Sequence, residues 1–336
     1  MRNVVPFSIR HLSPRNTYEL VSQSYFCGKP TWDPARDMPD MSGKTVVVTG
    51  GNAGIGKETV KAGIDSLHTS GAANTTASKA EAAIQELFET TGKRAIFLEL
   101  DLADLGSVKR AAEEFLRKGT LLHILYNNGG IMAPPIEAAT STGYDLTFAT
   151  NVLGHFYLTK LLLPAMISTA SKDGSSTRII TMTSMAHYVA SVDYASFKDG
   201  ALRRKRTPFD LYAQSKWADA VFAMELARRY GDQGIVSVAV NPGNLKTDIS
   251  HGTKGTLTLL SRMTLIHPPA WGSISQLWAG TATEAGDLNG KYVAPWGRIG
   301  RPRPDVEDPK NGALLWAWLE EQLEERDVGN SELLHT

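Results

Sequence analysis

The stretch "TVVVTGGNAGIG" at residues 45–56 decides how the chain is read. Its first half is short, apolar and β-branched, the composition of a strand buried on both faces of a parallel sheet. The second half places glycines at 50, 54 and 56 where that strand must turn into a helix. Without β-carbons the backbone can approach a pyrophosphate, and free N–H groups at the helix start present positive dipole to it. The spacing is G-x-x-x-G-x-G, not the general G-x-G-x-x-G of dinucleotide sites. A glycine-rich turn elsewhere signifies only a tight turn, but between a strand and a helix it becomes a nucleotide-binding candidate.

Helix and strand patterns alternate on the C-terminal side of this turn. Helices are expected at 79–92, 107–119, 151–166 and 212–230, and strands at 95–102, 121–128, 178–184 and 234–243. Repeated βα units imply an α/β fold: one doubly wound parallel sheet with helices on both faces. Residues 1–41 read as an N-terminal extension, 42–310 as a single domain with a substrate lid at about 248–290, and 311–336 as a C-terminal helix and tail.

The chain has 336 residues, 42% of them apolar, with 35 basic and 35 acidic side chains. A formal charge of zero provides no field that would draw it to nucleic acid or an anionic membrane. The run Arg203-Arg204-Lys205-Arg206 reads as a solvated loop. Cys27 is the single cysteine, so no intrachain disulfide forms, and no Cys/His cluster has metal-ligand spacing. The longest apolar runs, such as "LLLPAMI" at 161–167, fall short of the roughly 20 residues of a membrane span. These features point to a cytoplasmic protein. Arg2, Arg10, His11 and Arg15 share the composition of a mitochondrial transit peptide, although Pro6 and Pro14 favour a disordered tail.

A tyrosine four residues before a lysine on a helix places both on one face, where the ammonium eases formation of the phenolate. The pattern occurs as Tyr25/Lys29, Tyr194/Lys198 and Tyr212/Lys216. Context selects the third. Tyr25 precedes the expected fold, and Tyr194/Lys198 runs into Asp199-Gly200. Tyr212 opens a long helix leading to a strand that ends in Asn241-Pro242-Gly243, at the carboxyl edge where open α/β sheets bind ligands.

From about Ser42 to about Arg301 the chain resembles the short-chain dehydrogenase/reductases, which have a Rossmann-type fold. The turn 49–56, with Gly50, Asn52, Gly54, Ile55 and Gly56, matches that family's T-G-x-x-x-G-x-G. Asp101, with Leu102 beside it, matches the adenine-contacting acid, and "NNGG" at 127–130, with Asn128 and Gly129, matches N-N-A-G. Asn151, Ser184, Tyr212 and Lys216 correspond to its catalytic four, and Pro242, Gly243 and Thr247 of "NPGNLKT" to residues lying against the nicotinamide amide.

"TNVLGHFYLTKLLLP", "TSMAH" and the long gap between Ser184 and Tyr212 are similar to the branch of retinol dehydrogenases and WW-domain oxidoreductases; "GKYVAPWGRIG" at 290–300 is similar to fungal relatives of that branch. The resemblance implies NADP, slightly preferred, or NAD as cofactor, and a small carbonyl or alcohol substrate. It further implies a proton-donating Tyr212, a ribose-holding Lys216, a substrate-polarising Ser184, a water-positioning Asn151, and dimerisation through the helices at 151–166 and 212–230. The insertion 186–211 and the segment 248–290, with "TLTLLSRMTLIHPPAWG", are expected to wall an apolar substrate.

One stretch conflicts with this scheme. "GIDSLHTSGAANTTASK" at 63–79 lies where the second strand and its ribose-reading charged residue belong, yet it carries neither a β-branched run nor a suitably placed acid or arginine. The equivalents fall near Asn74, Thr75 and Thr76, with Asp65 too early. Three readings stay open: a compensated frame shift or misplaced splice boundary, which the abrupt recovery at "KAEAAI" fits best; a poor strand formed from "SLHTSGAAN"; or a protein that has lost tight cofactor binding and serves as a scaffold or sensor.

Overall fold

The computed structural model describes residues 13–62, 66–70, 77–92, 94–119, 121–245, 267–283 and 287–333, with the backbone course alone at 66–70, 77–80 and 326–333. Eight strands form one sheet: β1 (Thr45–Val48), β2 (Ser66–Ser70), β3 (Ile96–Leu98), β4 (Ile124–Asn127), β5 (Thr177–Met182), β6 (Ile235–Val240), β7 (Lys291–Ala294) and β8 (Arg298–Ile299). Their order is β3-β2-β1-β4-β5-β6-β7-β8. All neighbours are parallel except the closing β7–β8 pair. The direction of winding reverses between β1 and β4, which opens a crevice at their carboxyl ends.

Adjacent residues of each central strand enter opposite cores, as the pleat requires. Val47, Leu125, Ile179 and Ala239 face one cluster, while Val46, Val48, Ile124, Ile180, Val238 and Val240 face the other. Each fully buried valine contributes about 1.5–3 kcal/mol. The first face is covered by α5 (Leu105–Arg117), the short α6 (Leu146–Phe148), α7 (Gly154–Asp173) and α8 (Pro208–Tyr230), and the second by α3 (Gly54–Lys61), α4 (Ala77–Thr91) and α9 (Pro269–Thr281). Asp104 caps α5 by accepting from Gly106 N. Thr207 and Asp210 form a reciprocal capping box that starts α8, with Pro208 in its first turn.

The stretch Leu146–Asp173 is long and apolar enough to cross a membrane by composition. Here it lies inside the protein, with Phe156, Leu158, Leu162 and Met166 fully buried.

One of the three readings left open for residues 63–79 was a strand of poor local sequence. Residues 66–70 do form the second strand, running Thr45↔Ser66 to Val48↔Thr69 against β1 and His68↔Ile96 to Ser70↔Leu98 against β3. Without it the facing edges of β1 and β3 would lack backbone partners, so position in the sheet overrides the weak local propensity. Residues 63–65 and 71–76, with Asp65, Asn74, Thr75 and Thr76, lie outside the described residues.

Structure also begins well before Ser42. Ser13 caps α1 (Pro14–Tyr25), and α2 (Pro34–Asp37) follows. Arg203, expected in solvent, is 1% exposed: its guanidinium pairs with Asp145 and Asp199 at 2.9 Å each and also bonds Ala138 O. Within the segment expected as the lid, Pro269–Thr281 form a helix packed on the second core, its Gly272 against Leu245 and Ile55. Residues 246–266, including Thr247, lie outside the described residues.

The two terminal helices each cover something. α10 (Pro309–Leu333) lies across α7 and α8, burying Leu315, Trp316 and Leu319. Trp316 stands edge-on to Phe156 at 5.0 Å, and Lys160 pairs with Glu320 at 2.7 Å. α1 drives Gln23 into the carboxyl edge of the sheet. There its amide oxygen accepts from Tyr292 Oη (2.7 Å) and Asn241 Nδ2 (3.1 Å), and its nitrogen donates to Tyr188 Oη (2.9 Å). Gln23→Ala leaves these buried groups unpaired and should lower the unfolding free energy by about 1–3 kcal/mol in urea denaturation, whereas a purely appended extension would leave it unchanged.

Candidate active site

The crevice is built around Thr49, the residue after β1. Its hydroxyl oxygen accepts from the backbone N–H of Asn128 (2.9 Å) and Gly129 (2.8 Å) and lies 2.8 Å from His155 Nε2. The other ring nitrogen, His155 Nδ1, faces Asn151 O at 2.8 Å and must donate to it. Full burial lowers the His155 pKa to about 3 and keeps the ring neutral, so Nε2 is an acceptor and the Thr49 proton points at it. Asn128 Nδ2 in turn donates to Thr49 O (2.8 Å).

Close approach explains the glycines. A β-carbon on Gly50 would sit 2.8 Å from Gly129 Cα, and one on Gly56 would sit 2.2 Å from Gly50 O. Gly54 has φ +52 with nothing within 4 Å of its β-carbon position, so its backbone faces open space. The N-cap of α3 is Ala53, which supplies no side-chain acceptor. Uncapped N–H groups on a glycine-lined concavity fit a pyrophosphate. Asn52 stands in this turn and Ile55 in the first turn of α3. Asp101 turns its carboxylate onto Ala103 N (2.9 Å), and Leu102 packs beneath Gly129.

On the other side of the crevice, β5 is fastened to α8. Thr183 Oγ1 donates to Lys216 O (2.6 Å), and Lys216 Nζ donates to Met182 O (2.9 Å) and Asp219 Oδ2 (2.8 Å). Ser184 follows at once and starts the turn Met185–Val189, which it caps by accepting from Ala186 N. Lys216 Nζ lies 5.9 Å from the centre of the Tyr212 ring, the one-turn relation expected from sequence. Gly130 bridges the two sides: a β-carbon there would lie 3.0 Å from Asn151 Oδ1 and 3.9 Å from Lys216 Nζ.

Asn151 sits in a π-helical turn, Ala149–Leu153, leading into α7. Its side chain is fully engaged, accepting from Ile131 N (2.9 Å) and donating to Ile131 O (3.1 Å) and Ser215 Oγ (3.0 Å). It therefore braces the wall after β4, and only its carbonyl is directed towards His155. Pro242 and Gly243 turn the chain after β6. Gly243, at φ +83, packs under Trp296, with a β-carbon position 2.7 Å from that ring.

The structure thus brings the turn at 50–56, Asn128, Gly129, Asn151, Ser184, Tyr212 and Lys216 to one edge of the sheet. Sequence reasoning missed Thr49, His155 and Asp219. A threonine after the strand and a histidine one turn after Asn151 were visible signals, but their pairing across the crevice needs the fold.

His187, on the turn after Ser184, is buried like His155, and its pKa falls from 6.5 to about 4. Both bind a proton more readily in the unfolded chain. Their stabilisation is therefore complete above pH 6.5 and is lost as pH falls towards 4 for His187 and towards 3 for His155. Unfolding free energy measured in urea should decline below pH 6.5, and His155→Gln should remove about one proton's worth of that slope. An unaltered slope would contradict the neutral assignment.

Comparison with known proteins agrees with this geometry. A family model described as short chain dehydrogenase matches residues 44–257. A short-chain dehydrogenase/reductase of Armillaria gallica is 48% identical over 311 residues, covering 91% of this chain and 98% of the relative. The crystal structure of an uncharacterised protein from Mycobacterium paratuberculosis superposes with a TM-score of 0.65 at 31% identity, covering 86% of this chain and 96% of that one. A 3-ketoacyl-(acyl-carrier-protein) reductase from Brucella melitensis, solved with NADH, shares the fold with a TM-score of 0.59 at 21% identity, covering 75% and 96%.

Proposed function

The chain belongs to the short-chain dehydrogenase/reductase family, and from that premise we propose that it transfers hydride between a nicotinamide cofactor and the carbon of a small apolar ketone, aldehyde or alcohol. That it is an NAD(P)-dependent oxidoreductase follows from the family. The finer reading rests on one observation: Lys216, held at the end of β5 beside Ser184, stands one helical turn from Tyr212 across from the glycine turn.

Bound along the crevice, the nicotinamide would give or take the hydride. The pyrophosphate would lie on Gly50, Asn52, Gly54, Ile55 and Gly56, and the nicotinamide ribose by Lys216. In reduction Tyr212 gives its proton to the oxygen developing negative charge; in oxidation its anion takes the proton from the alcohol. Ser184 donates a hydrogen bond to the same oxygen. Lys216 stabilises the phenolate. Asn151 keeps the Ile131 wall in place, and its carbonyl, shared with His155, is the group left to hold a water. Thr247 is proposed as a nicotinamide contact from the motif alone, and Asp101 with Leu102 as adenine contacts.

The non-catalytic reading rested on the disrupted ribose segment 63–79; the pairing of Ser66–Ser70 as a strand supports the enzyme reading, while Asn74, Thr75 and Thr76, where the ribose-reading residue is expected, lie outside the described residues. NADP is preferred to NAD on the branch resemblance alone. His267, Trp271 and Trp296, packed ring against ring at about 5 Å beside Gly243, support an apolar substrate wall. A cytoplasmic location is proposed on the single cysteine and neutral charge. A homodimer through the helices at 151–166 and 212–230 stays a proposal, and α10, which packs against α7 and α8, would border that interface.

Two measurements test this. Titration with NADPH and NADH, followed by cofactor fluorescence and melting temperature, should raise the melting temperature with at least one of them. Tyr212→Phe should keep that shift and lose about 10²–10⁴-fold of turnover on an aliphatic aldehyde or alcohol that the parent accepts. Parental turnover in Tyr212→Phe would refute the assignment.

A further inference from the structure

We propose that Asp219 is a positioning residue for Lys216, a buried counter-ion that tempers the field of the ammonium on Tyr212 and so sets how tightly the phenol holds its proton. The proposal rests on the catalytic reading of Tyr212 and Lys216.

Asp219 is 1% exposed and lies one turn beyond Lys216 on α8, its Oδ2 2.8 Å from Nζ. Its Oδ1 is buried without a hydrogen-bond partner among the described residues. The neighbouring positions Ala218, Ala220 and Val221 are all fully buried apolar residues. A half-satisfied buried carboxylate is a poor way to stabilise such a helix, because desolvation offsets most of the attraction and an apolar side chain would do as well or better. Its effect on the ammonium is direct. A positive charge with a negative one 2.8 Å away acts at a distance as a dipole, so Tyr212 experiences a weaker field than from Lys216 alone.

Several ionisable groups on the elements packed against α8 are engaged elsewhere, among them Tyr188, whose Oη accepts from Gln23 Nε2. His155 on α7 and His187 after β5 are held neutral by burial. β6 carries no ionisable side chain, and Arg178 of β5 is bonded at the far end to the carbonyls of Ala279 and Ala282. Further along α8, Glu225 pairs with Arg228 and Arg229. Asp305 pairs with Arg303, Asp145 with Arg203, and Glu320 on α10 with Lys160. Asp219 is therefore the carboxylate placed to modulate Lys216. Burial raises its pKa, and the ammonium 2.8 Å away opposes that rise by favouring the ionised carboxylate.

Asp219→Asn keeps the size of the side chain and a hydrogen-bond acceptor for Lys216 while removing the charge. The test is an ultraviolet titration of tyrosinate absorbance in the cofactor-free protein, with the Tyr212 component isolated as the difference from Tyr212→Phe in each background. In Asp219→Asn the Tyr212 midpoint should fall by about one pH unit, and in Asp219→Glu it should stay near that of the parent. The alkaline rise of kcat/KM for alcohol oxidation should move in the same direction. An unchanged midpoint in a cooperatively melting Asp219→Asn overturns the proposal. So does the failure of both Asp219→Asn and Asp219→Ser to fold, since the pair would then be a structural element. If instead Tyr212→Phe keeps parental turnover, it is the catalytic reading that fails, independently of where Tyr212 titrates.

Discussion

The site depends on one hydroxyl group. Thr49 Oγ1 has one proton and two lone pairs, and the structure uses all three: the proton for His155 Nε2 at 2.8 Å, with Tyr126 O a more distant acceptor at 3.2 Å, and the lone pairs for the N–H groups of Asn128 and Gly129. Three chain segments that are far apart in sequence, the ends of β1 and β4 and the start of α7, are thereby held at hydrogen-bond distance. At that spacing there is no room for a β-carbon on Gly50 or Gly56, so the glycines follow from the hydroxyl's geometry as much as from any ligand. His155 then passes the constraint on to Asn151 O, and Asn151 to the Ile131 wall and Ser215. The glycine turn and the neighbourhood of Lys216 are in this way one hydrogen-bonded body.

Charge is handled differently on the two sides of that body. At the glycine turn no charged side chain stands among residues 49–56, and backbone N–H groups at the start of α3 are what would attract an anion. On the α8 side a full charge, Lys216, is buried and has to be balanced, which Asp219 and Met182 O accomplish. His155 and His187 contribute none, because burial keeps both rings neutral. The field around Tyr212 is accordingly set by very few groups, and each of them can be substituted separately.

Much of this was legible in the sequence because it is local. The run Thr45–Val48, the glycine spacing, and the Tyr212/Lys216 pair on a continuous helix each declare themselves within a dozen residues. β2 did not, since "SLHTS" pairs as a strand only because β1 and β3 flank it. Arg203 was misread for a related reason. A basic run is normally solvated, but the partners that bury this one arginine, Asp145 and Ala138 O, lie some sixty residues upstream. The contact between Thr49 and His155, separated by 106 positions, is likewise a product of winding order rather than of any motif.

The chain ends show the same dependence on tertiary context. Residues before Ser42 carry no pattern that marks them as part of a sheet protein, yet α1 supplies Gln23 to two loops of the site at once. Asn241, which opens the turn after β6, and Tyr188, in the turn that follows Ser184, share the same glutamine. A single amide joining both loops from above limits how far either can move without the other. The carboxyl edge of β5 and β6, where substrate and nicotinamide would meet, is thus fixed from below by α8 through Thr183 and from above by α1 through Gln23. Such double anchoring holds Ser184 at a constant height relative to the Pro242-Gly243 turn, which is what a reaction dependent on alignment of two bound molecules requires of its scaffold.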